Sequence, residues 1–592
     1  MQFLKYVLAT VVGIFLTWVI GFLLLMGVAA SASKGEDQPI EENSVLKLSF
    51  NKPIREREGA ENPFEGLDIP GASDDASIGI VEFKKAIAAA KSDDKIKGIY
   101  MDMSVVMGGF ASLEELRNAL IDFKKSGKFI VAYGEIYTEG AYYLASVADK
   151  IYLNPAGMLE FNGLNTTVMF FKGAMEKLEI KPEIFKVGDF KSAVEPFLLE
   201  KMSDPSRQQT TSFLNSIYGH YLDKVAASRG IDRKQLGVIS DSMLVREAPD
   251  ALKYKLVTNV GYYDEVQDEI RKLVKIKADE KIEYVGLGSY QKKGSAKENL
   301  NESKGKGDRV AVIFASGEIQ SGKGSDEVIG SDRIAEAIRK ARLDKKVKAV
   351  VLRINSPGGS AMASDVMWRE VMLTKKVKPV IASMSDVAAS GGYYMAMACD
   401  TIVAQPTTIT GSIGVFGMMF NAQDFLKNKL GITTDGVKTG QFSDLGNMSR
   451  PLTAYERKVI QQSVEKIYYD FTSKAAEGRD MKVEDLRAVA SGRVWSGVEA
   501  KEKGLVDVLG GLDDAVRIAA AAAKLKEGEY KIKQLPAKES FFEKFMSDMD
   551  DDANAKVLEA QFGTYAPYVQ QLKSIDKLKG IQARLPFNII FQ

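Results

Sequence analysis

The chain has 592 residues, 45% apolar and 27% charged, and its 80 Lys and Arg nearly cancel 79 Asp and Glu. That length exceeds one hydrophobic core and implies several domains, while the charge balance excludes the basic face that a nucleic-acid partner would need. One cysteine, Cys399, and one histidine, His220, exclude an intrachain disulfide framework and argue against a His/Cys-ligated metal.

From Tyr6 to Ser33 the chain carries no charge. About 20 apolar residues span a bilayer core, whereas the apolar region of a cleaved signal peptide is only about 7–15 residues long. The stretch predicts a transmembrane anchor over 6–30, even though Ala30-Ser31-Ala32 resembles a cleavage site. Lys5 before it and the acidic GEDQPIEE after it place the body outside the cytoplasm.

Beyond the anchor the chain repeats itself. KSDDKIKGIYMDM (Lys91–Met103) resembles RLDKKVKAVVLRI (Arg342–Ile354), and TEGAYYLASVAD (Thr138–Asp149) resembles ASGGYYMAMACD (Ala389–Asp400), both at an offset of 251 residues. FKVGDFKS (Phe185–Ser192) resembles VKTGQFSD (Val437–Asp444) one residue further on. The body therefore reads as two copies of one domain, residues 46–288 and 310–525. The polar, Gly- and Ser-containing stretch 289–309 reads as a linker, and 526–592 as an extension without a counterpart in the first copy. Short β-branched runs such as VAVIFAS, KAVVLRI and PVIASM alternate with helical patterns such as DRIAEAIRKARLD. That alternation predicts βαβ units around a largely parallel sheet buried on both faces.

Three junctions of the second copy carry chemistry. VLRINSPGGSA ends a strand at Pro357-Gly358-Gly359, where glycine N–H groups can form an oxyanion hole. SDVAASGGYYMA presents Ser390 at the start of a helix, whose dipole would favour a nucleophile there. TTITGSIGVFG offers Ser412 as a polar partner. In the first copy Glu139 stands in the place of Ser390, and Val106-Met107-Gly108 in that of the glycine turn. The first copy instead has Lys191, where the second has Ser443. This exchange predicts one composite site per chain. A lysine can act as a base only when neutral, which requires a pKa of roughly 7–8 rather than about 10.4, and an apolar setting such as Phe190, Ala193, Val194 and Phe197 supplies that shift. Asp189 and Glu195 must point elsewhere. His220 lies in a helical pattern as a surface or interface residue, and Cys399 reads as core.

NSPGG, VAASGGYYMA, TGSIGV, GDFKSAVEPF and GRVWSGVEAKEKGLVD together resemble the long, membrane-anchored, tandem-repeat form of signal peptide peptidase A, over Leu46 to Ala523. The resemblance implies two crotonase/Clp-protease-like α/β domains and a Ser/Lys dyad. Ser390 would be the nucleophile, Lys191 the general base and Ser412 the residue that orients the lysine. Gly358 and Gly359 would form the oxyanion hole. It further implies a homotetramer at the bacterial cytoplasmic membrane, with its body on the extracytoplasmic side, that cuts hydrophobic remnant signal peptides without a cofactor. An acyl-CoA hydratase or thioesterase would use the same glycine turn, but the anchor and the Ser/Lys exchange disfavour it. A non-catalytic membrane scaffold is the third reading.

Overall fold

The computed structural model describes residues 40–59, 77–103, 105–292, 307–539 and 580–585, with a few scattered helical positions between Tyr6 and Gly21. The expected anchor otherwise lies outside the described residues. Among the described residues, no helix is long and apolar enough to cross a membrane.

Each repeat builds one parallel sheet, and the two sheets share a strand order. In the first repeat it runs Asn259–Val260, Lys150–Leu159, Phe129–Tyr137, Ile96–Met103, Ser44–Ser49, Tyr284–Gly286. In the second it runs Val508–Leu509, Thr401–Ala404, Val380–Ala389, Val347–Ser356, Arg309–Ser316, Lys531–Leu535, and the far end of Val380–Ala389 also pairs with Ile409–Gly411, which carries the antiparallel edge strand Val494–Ser496. The central strands begin 251 residues apart, at Ile96 and Val347 and at Phe129 and Val380. So do the flanking helices, Ile80–Ser92 with Ser331–Leu343 and Phe110–Lys124 with Ala361–Lys375. The apolar residues of Ile80–Ser92 recur at helical spacing (Ile80, Phe83, Ala86, Ile87, Ala90), and all are buried against the sheet.

Two expected boundaries shift. The second domain does not stop at 525: Lys531–Leu535 is its edge strand, paired with Arg309–Ser316 as Tyr284–Gly286 is paired with Ser44–Ser49. Its KIKQL sequence alternates lysine with apolar residues at a half-exposed edge, so it gives little strand signal. The stretch from Ser289 to Lys292 is not linker but the end of a helix, Leu287–Lys292, whose buried Tyr290 hydroxyl donates to Asp93 Oδ2 at 2.9 Å.

A third sheet joins the two copies. Its strand order is Val328–Gly330, Glu318–Gln320, Gly358–Ser360, Gly580–Arg584, Phe416–Asn421, Lys181–Lys186. The last of these belongs to the first repeat and pairs antiparallel with Phe416–Asn421 of the second over six residues. Elsewhere the repeats meet through Arg353 of the second, which is fully buried between Glu56 (2.7 Å) and Glu115 (2.9 Å) of the first. Lys84 adds a cation 2.7 Å from Glu115. The Asp386 carboxylate of the second repeat accepts the Ser112 N–H at 2.8 Å and the Ser112 hydroxyl at 2.5 Å. These contacts hold the two sheets in one fixed relation, which the site between them requires.

Candidate active site

Ser390 ends the strand Val380–Ala389 and caps the six-residue helix Gly391–Ala396. Its backbone is left-handed, with φ of 54°, and its N–H donates to the Gly411 carbonyl at 2.8 Å. Ser412 also has a positive φ, 49°, and its N–H donates to the Arg493 carbonyl at 2.7 Å. Non-glycine residues held this way cost of order 1–3 kcal/mol each and persist where the surroundings enforce them. Here the strain turns both hydroxyls to one point.

Lys191, from the other repeat and 199 residues away in sequence, reaches that point. Its Nζ lies 2.9 Å from Ser390 Oγ, 3.0 Å from Ser412 Oγ and 3.2 Å from the Ser412 carbonyl oxygen. All three side chains are fully buried. Burial alone holds the Lys191 amine well below its ordinary pKa, because no carboxylate offsets the loss of water. Glu195 is turned away to accept the N–H and hydroxyl of Ser203, at 3.1 and 2.6 Å, and Asp189 is exposed. A neutral amine has two N–H groups and one lone pair. In that form the two Ser412 oxygens can accept the N–H groups and leave the lone pair toward the Ser390 hydroxyl, whose Oγ also lies within donating distance of the Gly414 carbonyl oxygen, at 3.3 Å.

The lysine loop is fixed by residues with no sequence signature. The Phe190 N–H donates to the Ser491 carbonyl at 3.1 Å. Gly492, with φ of 80°, lies flat against Lys191, and a β-carbon there would sit 2.7 Å from the Lys191 Cβ. Gln209 is buried on the helix Asp204–Arg229. Its Nε2 donates to the Phe190 carbonyl (3.0 Å) and to Ser192 Oγ (2.9 Å), and its Oε1 accepts the Val494 N–H at 3.0 Å. It thereby ties the lysine of one repeat to the strand Val494–Ser496 of the other. A lone glutamine in a long helix gives no hint of this in the sequence.

The glycine turn is a short strand, Gly358–Ser360, rather than a free loop. Its two glycines differ. The Gly358 N–H donates to Ser356 Oγ at 3.2 Å, so it is not the free donor expected of it. What matters at 358 is the missing side chain, since a β-carbon there would meet the Gly391 N–H at 2.8 Å. The N–H of Gly391, next after Ser390, thus opens on the same space as the glycine strand. His220 pairs with Glu114 in the first repeat (3.1 Å), and Cys399 is buried, its thiol pKa pushed up by burial. Neither joins the site.

The model of peptidase family S49 matches residues 122–277 and 372–526, corresponding parts of the two repeats. The chain belongs to peptidase family S49. Protease 4 of Salmonella typhi is 36% identical over 521 residues, 86% of this chain and 83% of that one. The chloroplastic serine protease SPPA of Arabidopsis thaliana is 35% identical, covering 82% of this chain and 70% of that one. A putative signal peptide peptidase SppA of Enterococcus faecium is 36% identical over 224 residues. Among solved structures, a ClpP1 chain from Listeria monocytogenes matches 35% of this chain at 13% identity and a TM-score of 0.24, too slight a likeness to bear on the fold. This S49 peptidase is a serine protease, which removes the acyl-CoA enzyme and the inert scaffold from consideration.

Proposed function

We propose that the protease hydrolyses hydrophobic peptides, remnant signal peptides among them, through an acyl-enzyme formed by a Ser390/Lys191 dyad. The observation that carries this is the desolvated Lys191 amine 2.9 Å from Ser390 Oγ, with no acid near it. Neutral Lys191 takes the Ser390 proton as Oγ attacks the scissile carbonyl, and Ser412 keeps the amine aimed. The N–H groups of Gly359 and Gly391 face the developing oxyanion, while Gly358 clears the space. Lys191 then gives its proton to the leaving amine. Water repeats the sequence in the second half and frees the new carboxylate. The peptide lies as a strand between Gly358–Ser360 and Phe416–Asn421, so main-chain hydrogen bonds bind it. No metal or cofactor takes part.

The uncharged stretch over 6–30 supports a single anchor in the bacterial cytoplasmic membrane, with the body on the extracytoplasmic side. A ring of copies follows from an inequality between the repeats. Lys181–Lys186 of the first repeat pairs with Phe416–Asn421 of the second. The matching donor in the second repeat, residues 433–438, belongs to no sheet among the described residues, and neither does the matching acceptor, residues 165–170. The donor arm exposes Leu430, Ile432, Val437, Phe442, Leu445 and Met448. A donor at one end and an acceptor at the other is a head-to-tail interface, which forms a ring where its rotation closes. The resemblance sets that ring at four.

Cleavage of a synthetic signal peptide by wild type and not by Ser390→Ala, at equal oligomeric state, is the expected result. Equal cleavage by the two would refute the dyad.

A further inference from the structure

Arg493 stands immediately before the strand Val494–Ser496, half-buried, and its Nε is buried with no hydrogen-bond partner among the described residues. A buried donor left unpaired is rare and needs a physical reason. Glu499, the acid whose charge reaches it, is engaged elsewhere: its carboxylate accepts the Ser496 N–H at 2.8 Å and the Ser212 hydroxyl. Two rings hold the guanidinium instead. Its carbon lies 4.9 Å from the centre of the Phe190 ring and 4.1 Å from that of Trp495, where a flat, weakly hydrated cation is attracted to aromatic faces. Each contact of Arg493 leads to one group of the site. Phe190 immediately precedes Lys191. The Arg493 carbonyl accepts the Ser412 N–H at 2.7 Å. Trp495, its indole N–H donating to the Val489 carbonyl at 2.9 Å, packs on Gly411, whose carbonyl accepts the Ser390 N–H at 2.8 Å. A β-carbon on Gly411 would lie 2.8 Å from Trp495 Cδ1 and 2.9 Å from the Arg493 carbonyl oxygen. The first repeat is the control. In the register that matches Val245 with Val494, Leu244 takes the place of Arg493 in the repeat where Glu139 replaces the nucleophile.

We propose that Arg493 is a positioning residue that holds Lys191, Ser412 and Ser390 in one arrangement. The inference rests on the Ser390/Lys191 reading. The main chain of Phe190 is tied on both sides, its N–H to the Ser491 carbonyl and its carbonyl to Gln209 Nε2. The ring stacked on Arg493 adds a third point, and three points fix the orientation of the segment from which Lys191 reaches across the repeat boundary. The same residue fixes Ser412 through its carbonyl, and Ser390 through Trp495 and Gly411. Aromatic faces suit this place better than an ion pair. A carboxylate set here to pair with Arg493 would stand close to Lys191 and favour its protonated form, whereas rings hold a cation without adding negative charge. Lys191 stays neutral only while it is kept from water, so freeing Phe190 also lets the amine become hydrated and protonated.

Steady-state hydrolysis of a hydrophobic peptide from about pH 6 to 10 tests this, in full-length wild type, Arg493→Leu, Arg493→Lys and Lys191→Met, with melting temperatures measured alongside. Arg493→Leu, which installs the first repeat's residue, is expected to lower kcat by about 10–100-fold with KM within about threefold of wild type. Its rate should rise with pH through an ionisation displaced upward from that of wild type. Arg493→Lys keeps a cation over the rings, and should recover part of kcat and move the ionisation back. A kcat and pH profile of Arg493→Leu equal to those of wild type would overturn the inference, and the Ser390/Lys191 reading would stand if Lys191→Met is inactive. A lower kcat with the wild-type pH profile in both Arg493 variants would also overturn it, since that marks a residue of the fold alone. Should Arg493→Leu not fold, Arg493→Lys decides by the same two readouts. Cleavage by Lys191→Met at the wild-type rate would overturn both readings.

Discussion

The two repeats share strand order and register but differ at every position that carries chemistry. Ser390 of the second repeat corresponds to Glu139 of the first, Ser412 to Phe161, and the strand Gly358–Ser360 to an irregular stretch beginning at Met107. Glu139 is buried, which raises its pKa even though its Oε1 accepts the N–H groups of Asn162 and Gly163 at 2.9 and 2.8 Å. The first repeat keeps the fold but holds a hydrogen-bonded carboxylate where the second has its serine. In return it sends Lys191 across the boundary, whereas Ser443, the residue matching Lys191, lies in an exposed loop. In the proposed mechanism the duplicated fold forms one site with divided labour: one copy shapes the nucleophile and the oxyanion hole, and the other supplies a base.

The largest effect expected from breaking this division is at the serine. Ser390→Ala should lower kcat/KM by about 10^4-fold or more. Adding Glu139→Ser to that variant should restore nothing, because Phe161 and the missing lysine leave the first repeat without a base. Steady-state peptide hydrolysis checks both. Lys191→Met should inactivate comparably, and Lys191→Arg as well, since arginine stays charged. Lys191→Met should also melt higher than wild type at pH 7. The folded-state pKa of Lys191 is depressed below an unfolded value near 10.5, so between the two the unfolded chain binds the extra proton. Wild-type stability from this group therefore rises with pH across that window. The advantage of the methionine variant should shrink as pH approaches 10.5, which melting curves across pH would show.

Next comes the contact between the repeats. Arg353→Met leaves Glu56 and Glu115 buried without their shared cation, and breaking a buried pair in this way costs about 3–5 kcal/mol. Denaturant titration measures it. The smallest expected effect is at Gln209. Gln209→Ala should cost about 1–3 kcal/mol of stability for the groups left unpaired. It should lower kcat by up to about 100-fold through misplacement of Lys191, with less change in KM. An unchanged kcat would mean that Gln209 holds the fold but not the base.

Much of this was legible in the chain because repetition supplies its own control. Comparing VAASGGYY with IYTEGAYY isolates Ser390, and the reciprocal Lys191 follows. The strand and helix pattern gave the paired sheets for the same reason: apolar β-branched runs buried on both faces leave little ambiguity. What stayed hidden depends on three-dimensional neighbours. Gln209, Gly492 and the Arg353 cluster act through contacts roughly 240 to 300 residues distant in sequence, which no local pattern encodes. Gly358 was expected to donate a hydrogen bond and instead contributes an absence of side chain. Lys531–Leu535 and Gly580–Arg584 are short strands that exist only because a sheet edge or groove receives them.

The central claim is that a neutral lysine of the first repeat activates one serine of the second. The rate at which a fluorophosphonate labels the protein, followed from about pH 5 to 10 in wild type and Lys191→Met, tests it most directly. The dyad predicts labelling at Ser390 alone, with a wild-type rate that rises with pH through an ionisation below 10.5 and a variant rate near zero at every pH. Labelling of Lys191→Met at the wild-type rate, or a flat wild-type profile, would contradict it.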